Sequence, residues 1–341
     1  MGLGTRIRCA ALAVGLGALL APAAATAGSA VSERSAPAGQ GARGYWTTER
    51  MREAIPAEVP APADGSDLGP VRAEPAGSPT FVPPVGPGET VSARLRSGAL
   101  GIGPGHARTD PPVHRTEVTD PSQAPYRVQG KVFFRLAGYD YVCSGTAVNS
   151  RNHSVVWTAG HCVFERGAGF VRRFTFVPGF HKGSKPYGEW PARRLATTRA
   201  WTARRNLHFD FGAAVVARNG AGRALTKVVG GRGIGFDQGR DHVYRAWGYP
   251  ADAPPDEFTG GRLFRCTSPF AGTDARPPGH GPLPGYIACD MTGGSSGGGW
   301  TVGNSVLSVT SYKYDAEPDR LFGPYQSRAA KRLYRSVSGR R

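Results

Sequence analysis

Three short strings carry residues of the types and spacing that nucleophilic acyl transfer needs. In Val156-Trp157-Thr158-Ala159-Gly160-His161-Cys162, a strand-like run passes through a small-residue turn directly into a histidine. The adjacent cysteine can pin that imidazole through a disulfide; a histidine without such surroundings is usually structural. In Phe209-Asp210-Phe211-Gly212-Ala213-Ala214-Val215-Val216, an acid heads an apolar strand. Such an Asp is often a turn residue, but buried it can aim its carboxylate at an imidazole N–H and stabilise the imidazolium formed during reaction. In Cys289-Asp290-Met291-Thr292-Gly293-Gly294-Ser295-Ser296-Gly297-Gly298-Gly299, glycines surround a serine. A nucleophilic hydroxyl needs exposure and backbone N–H donors facing the developing oxyanion, and glycine permits both the backbone geometry and close approach. A Gly-Ser linker does not fit between a cysteine and the strand-like 300–312. His208 has no matching pattern around it and reads as a surface residue.

The chain order discriminates between folds. Gly294-x-Ser296-x-Gly298 also satisfies the nucleophile elbow of α/β-hydrolases, but that fold requires its histidine after the serine. The last histidine here is His280, so the elbow reading fails.

The elements that must position these groups are short. Runs at 131–136, 154–158, 174–177, 211–216, 243–247, 262–266 and 306–312 are rich in β-branched and aromatic residues and separated by Gly, Pro, Asn and Asp, the pattern of an all-β sandwich or barrel. One helix is expected at about 324–337, with Gly323-Pro324 at its start and Tyr325, Ala329, Leu333 and Val337 near helical spacing.

Upstream the composition changes. Residues 1–27 read as a secretory signal: Arg6 and Arg8, an apolar run too short to span a bilayer, and Ala25-Thr26-Ala27 for cleavage. A secreted protein with no transmembrane anchor after signal removal is expected. Residues 28–125 hold fifteen Pro and thirteen Gly and read as a largely irregular segment, either a pro-segment or a linker. Its one ordered island is a short helix capped by Thr47 or Thr48, presenting Trp46, Met51 and Ile55 and ended by Pro56. Residues 126–341 are long enough for a substantial core. Apart from Cys9 there are four cysteines, Cys143, Cys162, Cys266 and Cys289, which in an oxidising compartment imply two disulfides. Three connectivities are open, and sequence proximity favours 143–162 and 266–289. Zinc is the rival reading, without C-x-x-C or paired-histidine spacing to support it.

Residues 126–335 resemble the trypsin/chymotrypsin-like serine endopeptidases. Thr158-Ala-Gly-His161-Cys162 is similar to the family's histidine motif nearly letter for letter, and Cys143-Ser-Gly-Thr-Ala147 to the strand before that loop. Gly294-Ser295-Ser296-Gly297-Gly298 resembles Gly-Asp-Ser-Gly-Gly, and the order His161, Asp210, Ser296 is that of the chymotrypsin type. Trp247-Gly248-Tyr249-Pro250 and Thr292-Gly293-Gly294 look most like the bacterial glutamyl-endopeptidase-like branch and its actinobacterial relatives. The resemblance implies two packed antiparallel β-barrels, a Cys143–Cys162 bridge closing the histidine loop, and a triad of His161, Asp210 and Ser296. It also implies an oxyanion hole from the N–H groups of Gly294 and Ser296, protein or peptide substrates, and no cofactor or metal.

The departures concern activation and specificity. Ser295 replaces the acid that, in animal-type members, pairs with a freshly cut N-terminus, so that switch is not expected. Gly299 replaces a proline. Asp290 stands six residues before Ser296, where trypsin-like members hold the acid that binds Arg or Lys; the competing reading is a structural or differently aimed carboxylate. Thr310 stands where the glutamyl branch uses a histidine, which weakens a Glu-specific reading. The 308–312 strand is expected to pair with the substrate backbone, with Thr310 and Tyr312 at the substrate.

The formal charge of +17 arises wholly after residue 125, where 31 basic residues meet 14 acidic ones. It reads as surface electrostatics: solubility, adhesion to anionic cell wall, or steering of acidic protein substrates. A specific nucleic-acid binder is the weaker reading, because the pairs Arg172-Arg173, Arg193-Arg194 and Arg204-Arg205 come without a binding motif. The remaining alternative is a catalytically silent protease-fold protein that binds peptides or cell wall. A monomer is expected.

Overall fold

The computed structural model describes residues 30–33, 41–59, 77–86 and 110–339. The expected signal at 1–27 lies outside the described residues.

Six strands, β1 (Gln129–Leu136), β2 (Tyr139–Val148), β3 (Val155–Thr158), β4 (Arg172–Pro178), β5 (Trp190–Thr198) and β6 (Gly212–Val216), form an antiparallel barrel in the order β5-β4-β1-β2-β3-β6. Pairing of Leu195 with Ala214 and its neighbours closes it. Val132, Phe134, Trp157, Phe176, Leu195 and Phe211 are among the residues that fill the interior. The run Val132-Phe133-Phe134 is apolar without alternation because β1 is covered on both faces. Phe133 points the other way, into a cluster with Phe180, Trp247, Tyr249 and Leu263.

The second half contains β7 (Gly233–Phe236), β8 (Val243–Gly248), β9 (Leu263–Pro269), β10 (Gly272–Thr273), β11 (Gly285–Ala288), β12 (Gly299–Val302), β13 (Ser305–Val309) and β14 (Arg320–Gly323). A sheet runs β7-β13-β12-β8-β9, and β10-β11-β14 form a separate three-stranded sheet. Its pairings are antiparallel except that Gly233–Ile234 runs parallel to Ser305–Val306. Ala246, Phe264, Ile287, Met291 and Trp300 pack between the two sheets.

Upstream segments extend both halves. Ala30–Glu33 pairs with β5, Ile55–Pro56 with β2, Thr80–Val82 with β7 and Arg115–Val118 with β9. The expected upstream helix is present at Thr48–Glu53, with the Thr47 hydroxyl accepting the Arg50 N–H. Trp46 and Met51 are buried as expected, but Ile55 is 48% exposed and Ala54 takes the inward position. The chain leaves the helix at Ala54 and becomes extended, which turns the Ile55 side chain outward.

The terminal helix (Arg328–Ser338) begins four residues later than the sequence indicates. Gly323 closes β14 and the Pro324 carbonyl accepts the Ser308 hydroxyl, so Ser327 supplies the N-cap instead. Ala329, Ala330, Leu333 and Val337 are buried as the spacing requires. Just before it, the Gln326 side chain ties the halves together, accepting the Trp157 indole N–H and donating to the carbonyls of Gly235 and Val306.

Lys131 is the exception to this apolar packing. It is 4% exposed, its Nζ donates to the Gly260 carbonyl at 2.8 Å, and burial pushes its ammonium down to about 7 from an ordinary 10.5. The unfolded chain therefore binds a proton that the folded chain has released between about pH 7 and 10.5, and stability contributed at this site rises with pH across that window. Urea unfolding of the wild type and Lys131→Met should give a difference that changes by up to about 1.4 kcal/mol per pH unit there. A difference that is flat with pH would mean that Lys131 stays charged in the fold.

Candidate active site

His161 enters the site from the turn after β3, where Gly160 leaves no room for a side chain. A Cβ there would stand 2.7 Å from Asp210 Oδ1 and 2.9 Å from the Trp201 ring. A single-turn 3-10 helix, Leu207–Phe209, delivers Asp210, which is fully buried. Its Oδ1 accepts the main-chain N–H of His161 at 2.9 Å, and its Oδ2 lies 2.8 Å from His161 Nδ1. The same Oδ2 accepts the Ser311 hydroxyl at 2.6 Å. One carboxylate thus fixes the backbone, the ring orientation and the Nδ1–H tautomer of His161. His161 Nε2 is buried without a hydrogen-bond partner among the described residues. It is the ring nitrogen left for a reacting group.

The Ser296 backbone is anchored from the second half against Cys162, the residue next to this histidine. Its carbonyl accepts the Ser144 N–H at 2.7 Å and lies 3.6 Å from Cys162 Sγ. Gly294 and Gly297 both have positive φ, +89° and +79°. A Cβ on Gly297 would collide with Thr158 Oγ1, and one on Gly298 with the Trp247 carbonyl, so the loop closes only with glycine. The Gly293 carbonyl accepts the Ala251 N–H at 2.7 Å, and the Ser295 carbonyl accepts the Gly298 N–H at 3.0 Å. In trans planar peptides the N–H opposes the carbonyl, so the N–H groups of Gly294 and Ser296 point away from these anchors. Ser144 Oγ braces the same loop, donating to the Gly294 carbonyl at 2.8 Å and accepting the Tyr249 N–H at 2.9 Å.

Both disulfides form, Cys143–Cys162 and Cys266–Cys289. The cysteine sulfurs beside His161 and beside Asp290 lie in metal-like groupings, but each is bonded to its partner sulfur and offers no thiolate. Asp290 is held in an ion pair by Arg115, which also pairs with Glu257 and lies 4.8 Å over the Phe258 ring. Thr310 and Tyr312 are buried, with their hydroxyls engaged by the Trp300 indole N–H and by Asp274 respectively. His208 is not a surface residue. It is fully buried between the carbonyls of Pro282 and Pro277, 3.1 and 3.2 Å from its two ring nitrogens, and burial lowers its pKa. Leu207 and Phe209, the buried apolar residues on either side of it, carry His208 inward with the 3-10 turn.

Sequence reasoning missed Ser311, Ser144 and Lys313. Period-two alternation places Ser311 on the face opposite Thr310 and Tyr312, which was a usable signal for a group aimed at Asp210. Lys313 lies beside the elbow, its Nζ donating to the Met291 carbonyl at 3.2 Å, and burial pushes it down to about 8. The paired arginines are partly consumed within the chain. Arg173 stacks over Tyr45, Arg194 donates to the Ser336 carbonyl, and Arg205 pairs with Glu165.

With the histidine–carboxylate pair and the glycine-walled serine loop located, comparison with known proteins returns serine proteases. The chain superposes on the protease Anisep of Arthrobacter nicotinovorans with a TM-score of 0.58 and 35% identity, over 64% of this chain and 98% of Anisep. The thermostable serine protease AL20 from an extremophilic microorganism gives 0.57 and 37%, over 62% and 97%. A Glu endopeptidase shares the fold at a TM-score of 0.53 and 18% identity. An extracellular metalloprotease of Bacillus subtilis (strain 168) is 32% identical over 101 residues, which span 29% of this chain and 31% of that protein. No family model matches the chain. The chain belongs to the bacterial chymotrypsin-like serine proteases and is a serine-type endopeptidase. Among the described residues no helix is long and apolar enough to cross a membrane.

The Ser311–Asp210 bond makes a stability prediction. Ser311→Ala removes a hydrogen bond to a buried, charged acceptor, and thermal unfolding should show a loss of about 1–3 kcal/mol. An unchanged Tm would mean that solvent or another donor satisfies Oδ2.

Proposed function

We propose that this protein is a secreted endopeptidase that cleaves peptide bonds through an acyl-enzyme on a His161–Asp210–Ser296 triad. Ser296 Oγ attacks the scissile carbonyl while its proton passes to His161 Nε2. The C–N bond then breaks as His161 returns that proton to the leaving amine. Water, deprotonated by the same nitrogen, releases the acyl group and restores Ser296. Asp210 stays ionised and stabilises the imidazolium. The N–H groups of Gly294 and Ser296 bind the oxyanion, a term commonly worth about 3–4 kcal/mol per donor. The observation that carries this reading is the double hold of Asp210 on His161, which leaves only the buried Nε2 free.

The Ser311 carbonyl and the Lys313 N–H and carbonyl take part in no backbone hydrogen bond among the described residues, while the Ser311 and Tyr312 N–H groups are used by Phe322. An extended substrate would add to this free edge as a further strand. The two disulfides fit export to an oxidising compartment. We read residues 1–27 as the signal, 28–125 as a pro-segment and 126–341 as the peptidase. The basic excess is a modifier that draws the enzyme toward anionic polymers such as cell wall.

Ser296→Ala should lower kcat by about six orders of magnitude, and a fluorophosphonate should label the wild type at Ser296 alone. Near wild-type casein hydrolysis by the variant would overturn the triad. In the full chain, which keeps Arg115, Asp290 is already neutralised, so Asp290→Asn made there should leave the ratio of kcat/KM for Arg and Lys over other P1 residues within about twofold. A collapse confined to Arg and Lys substrates would show that Asp290 reads the substrate.

A further inference from the structure

The upstream chain does not end its contacts at the helix. Trp46, Met51 and Ala54 are buried in the cluster that holds Phe133, Val142, Phe180 and Trp247, on the rim of the cleft. Trp46 Nε1 donates to the Arg173 carbonyl at 2.7 Å, and Tyr45 and Arg50 both reach Asp140. From this anchor, residues 55–59 run across the site. Ile55 and Pro56 pair parallel to Tyr141 and Val142, although the neighbouring strands β1 and β3 both pair antiparallel with β2. The Ala57 N–H donates to the Val142 carbonyl at 3.0 Å, and Ala57 is 9% exposed. Pro56 and Glu58 both occupy the space over Gly293, so that a Cβ there would stand 2.8 Å from Pro56 Cβ and overlap the Glu58 carboxylate. Val59 then packs against the cluster of Trp201, Leu207, Tyr312 and Phe322 on the opposite rim. The Trp201 ring lies 6.2 Å from that of His161.

These five residues therefore bridge the two halves over Gly293, and Glu58 lies within electrostatic reach of His161 and Lys313. No carbonyl between Ile55 and Val59 accepts a hydrogen bond from Gly294 or Ser296 among the described residues. The strap fills the cleft without presenting a bond where one would be cut. We propose that the cleft is a docking surface for residues 45–59 of this same chain, which act as a built-in inhibitor: the helix anchors on the rim, and the strap excludes peptide substrates from Ser296.

This inference rests on the triad reading, and one experiment separates the two. Fluorophosphonate labelling of Ser296 is followed in the full chain, its integrity checked by mass. The wild type is compared with Trp46→Ala/Met51→Ala, which frees the anchor, and with Ala57→Pro, which removes the donor to Val142. Both variants should label at least about tenfold faster than the wild type, equivalent to ~1.4 kcal/mol of strap binding. A synthetic peptide of residues 44–59 added to the open double variant should restore slow labelling and raise KM for a small peptide substrate without changing kcat. Equal labelling of wild type and variants, or a peptide without effect, overturns the inference and leaves the triad standing. Absence of Ser296 labelling in every form overturns the triad and this inference with it.

Discussion

A carboxylate buried away from water must be surrounded by donors, and Asp210 dictates much of the architecture through that requirement. Its three hydrogen bonds come from three directions: the His161 main chain, the His161 ring and the Ser311 hydroxyl. His161 belongs to the closed barrel, while Ser311 belongs to the chain that follows β13 in the second half. The charge is satisfied only when the halves are docked, so the same contact that orients the imidazole also reports correct assembly. Gly160 follows from this, because any side chain there would displace either Asp210 or Trp201.

The docking surface is built mainly from backbone, which is why it is rich in glycine. Ser144 N–H binds the Ser296 carbonyl, Gly297 bonds to the Thr310 carbonyl, and the Gly297 Cα rests against Thr158 and Ala159. Side chains at these points would hold the halves apart by more than an ångström and carry the Ser296 backbone with them. Gln326 repeats the arrangement on the far side of the barrel, where one amide satisfies Trp157, Gly235 and Val306. Catalytic geometry and inter-half stability thus draw on the same contacts.

What was legible in the sequence was whatever depended on local chemistry. Each of the seven apolar runs overlaps a strand, although the strand in the last run ends at Val309 and not at 312, and the sequence-near cysteines form the two bridges. The strand at Trp190–Thr198 was not legible because Pro191 and the pair Arg193-Arg194 break its apolar pattern. The structure accommodates them with a register shift between Ala192 and Arg194. The start of the terminal helix was misplaced because Gly323-Pro324 has the local signature of a helix N-terminus, yet Gly323 is recruited by pairing with Gly285, thirty-eight positions earlier. His208 was illegible for the same reason: its two carbonyl partners come from a loop about seventy residues downstream. Asp290 sits at a spacing that suggests substrate reading, but its partner Arg115 lies in an upstream segment whose composition gave no sign of a strand.

That segment shows where compositional reasoning reaches its limit. Fifteen prolines and thirteen glycines in 98 residues cannot form a core of their own, and the chain does not ask them to. Ala30–Glu33, Ile55–Pro56, Thr80–Val82 and Arg115–Val118 each add to a strand that already exists, using the exposed N–H and C=O groups of a preformed edge or rim. Edge pairing needs only a few extended residues, and proline is tolerated where its missing N–H faces outward, as at Pro56. A segment too polar to fold alone can therefore be ordered piecewise against strands that also pair with one another. The one stretch with concentrated apolar weight, Trp46 to Ala54, is the stretch that anchors nearest the catalytic cleft. Binding energy is thus placed where ordering five further residues brings them over Gly293, and the cost of fixing those residues is offset by the anchor of Trp46, Met51 and Ala54.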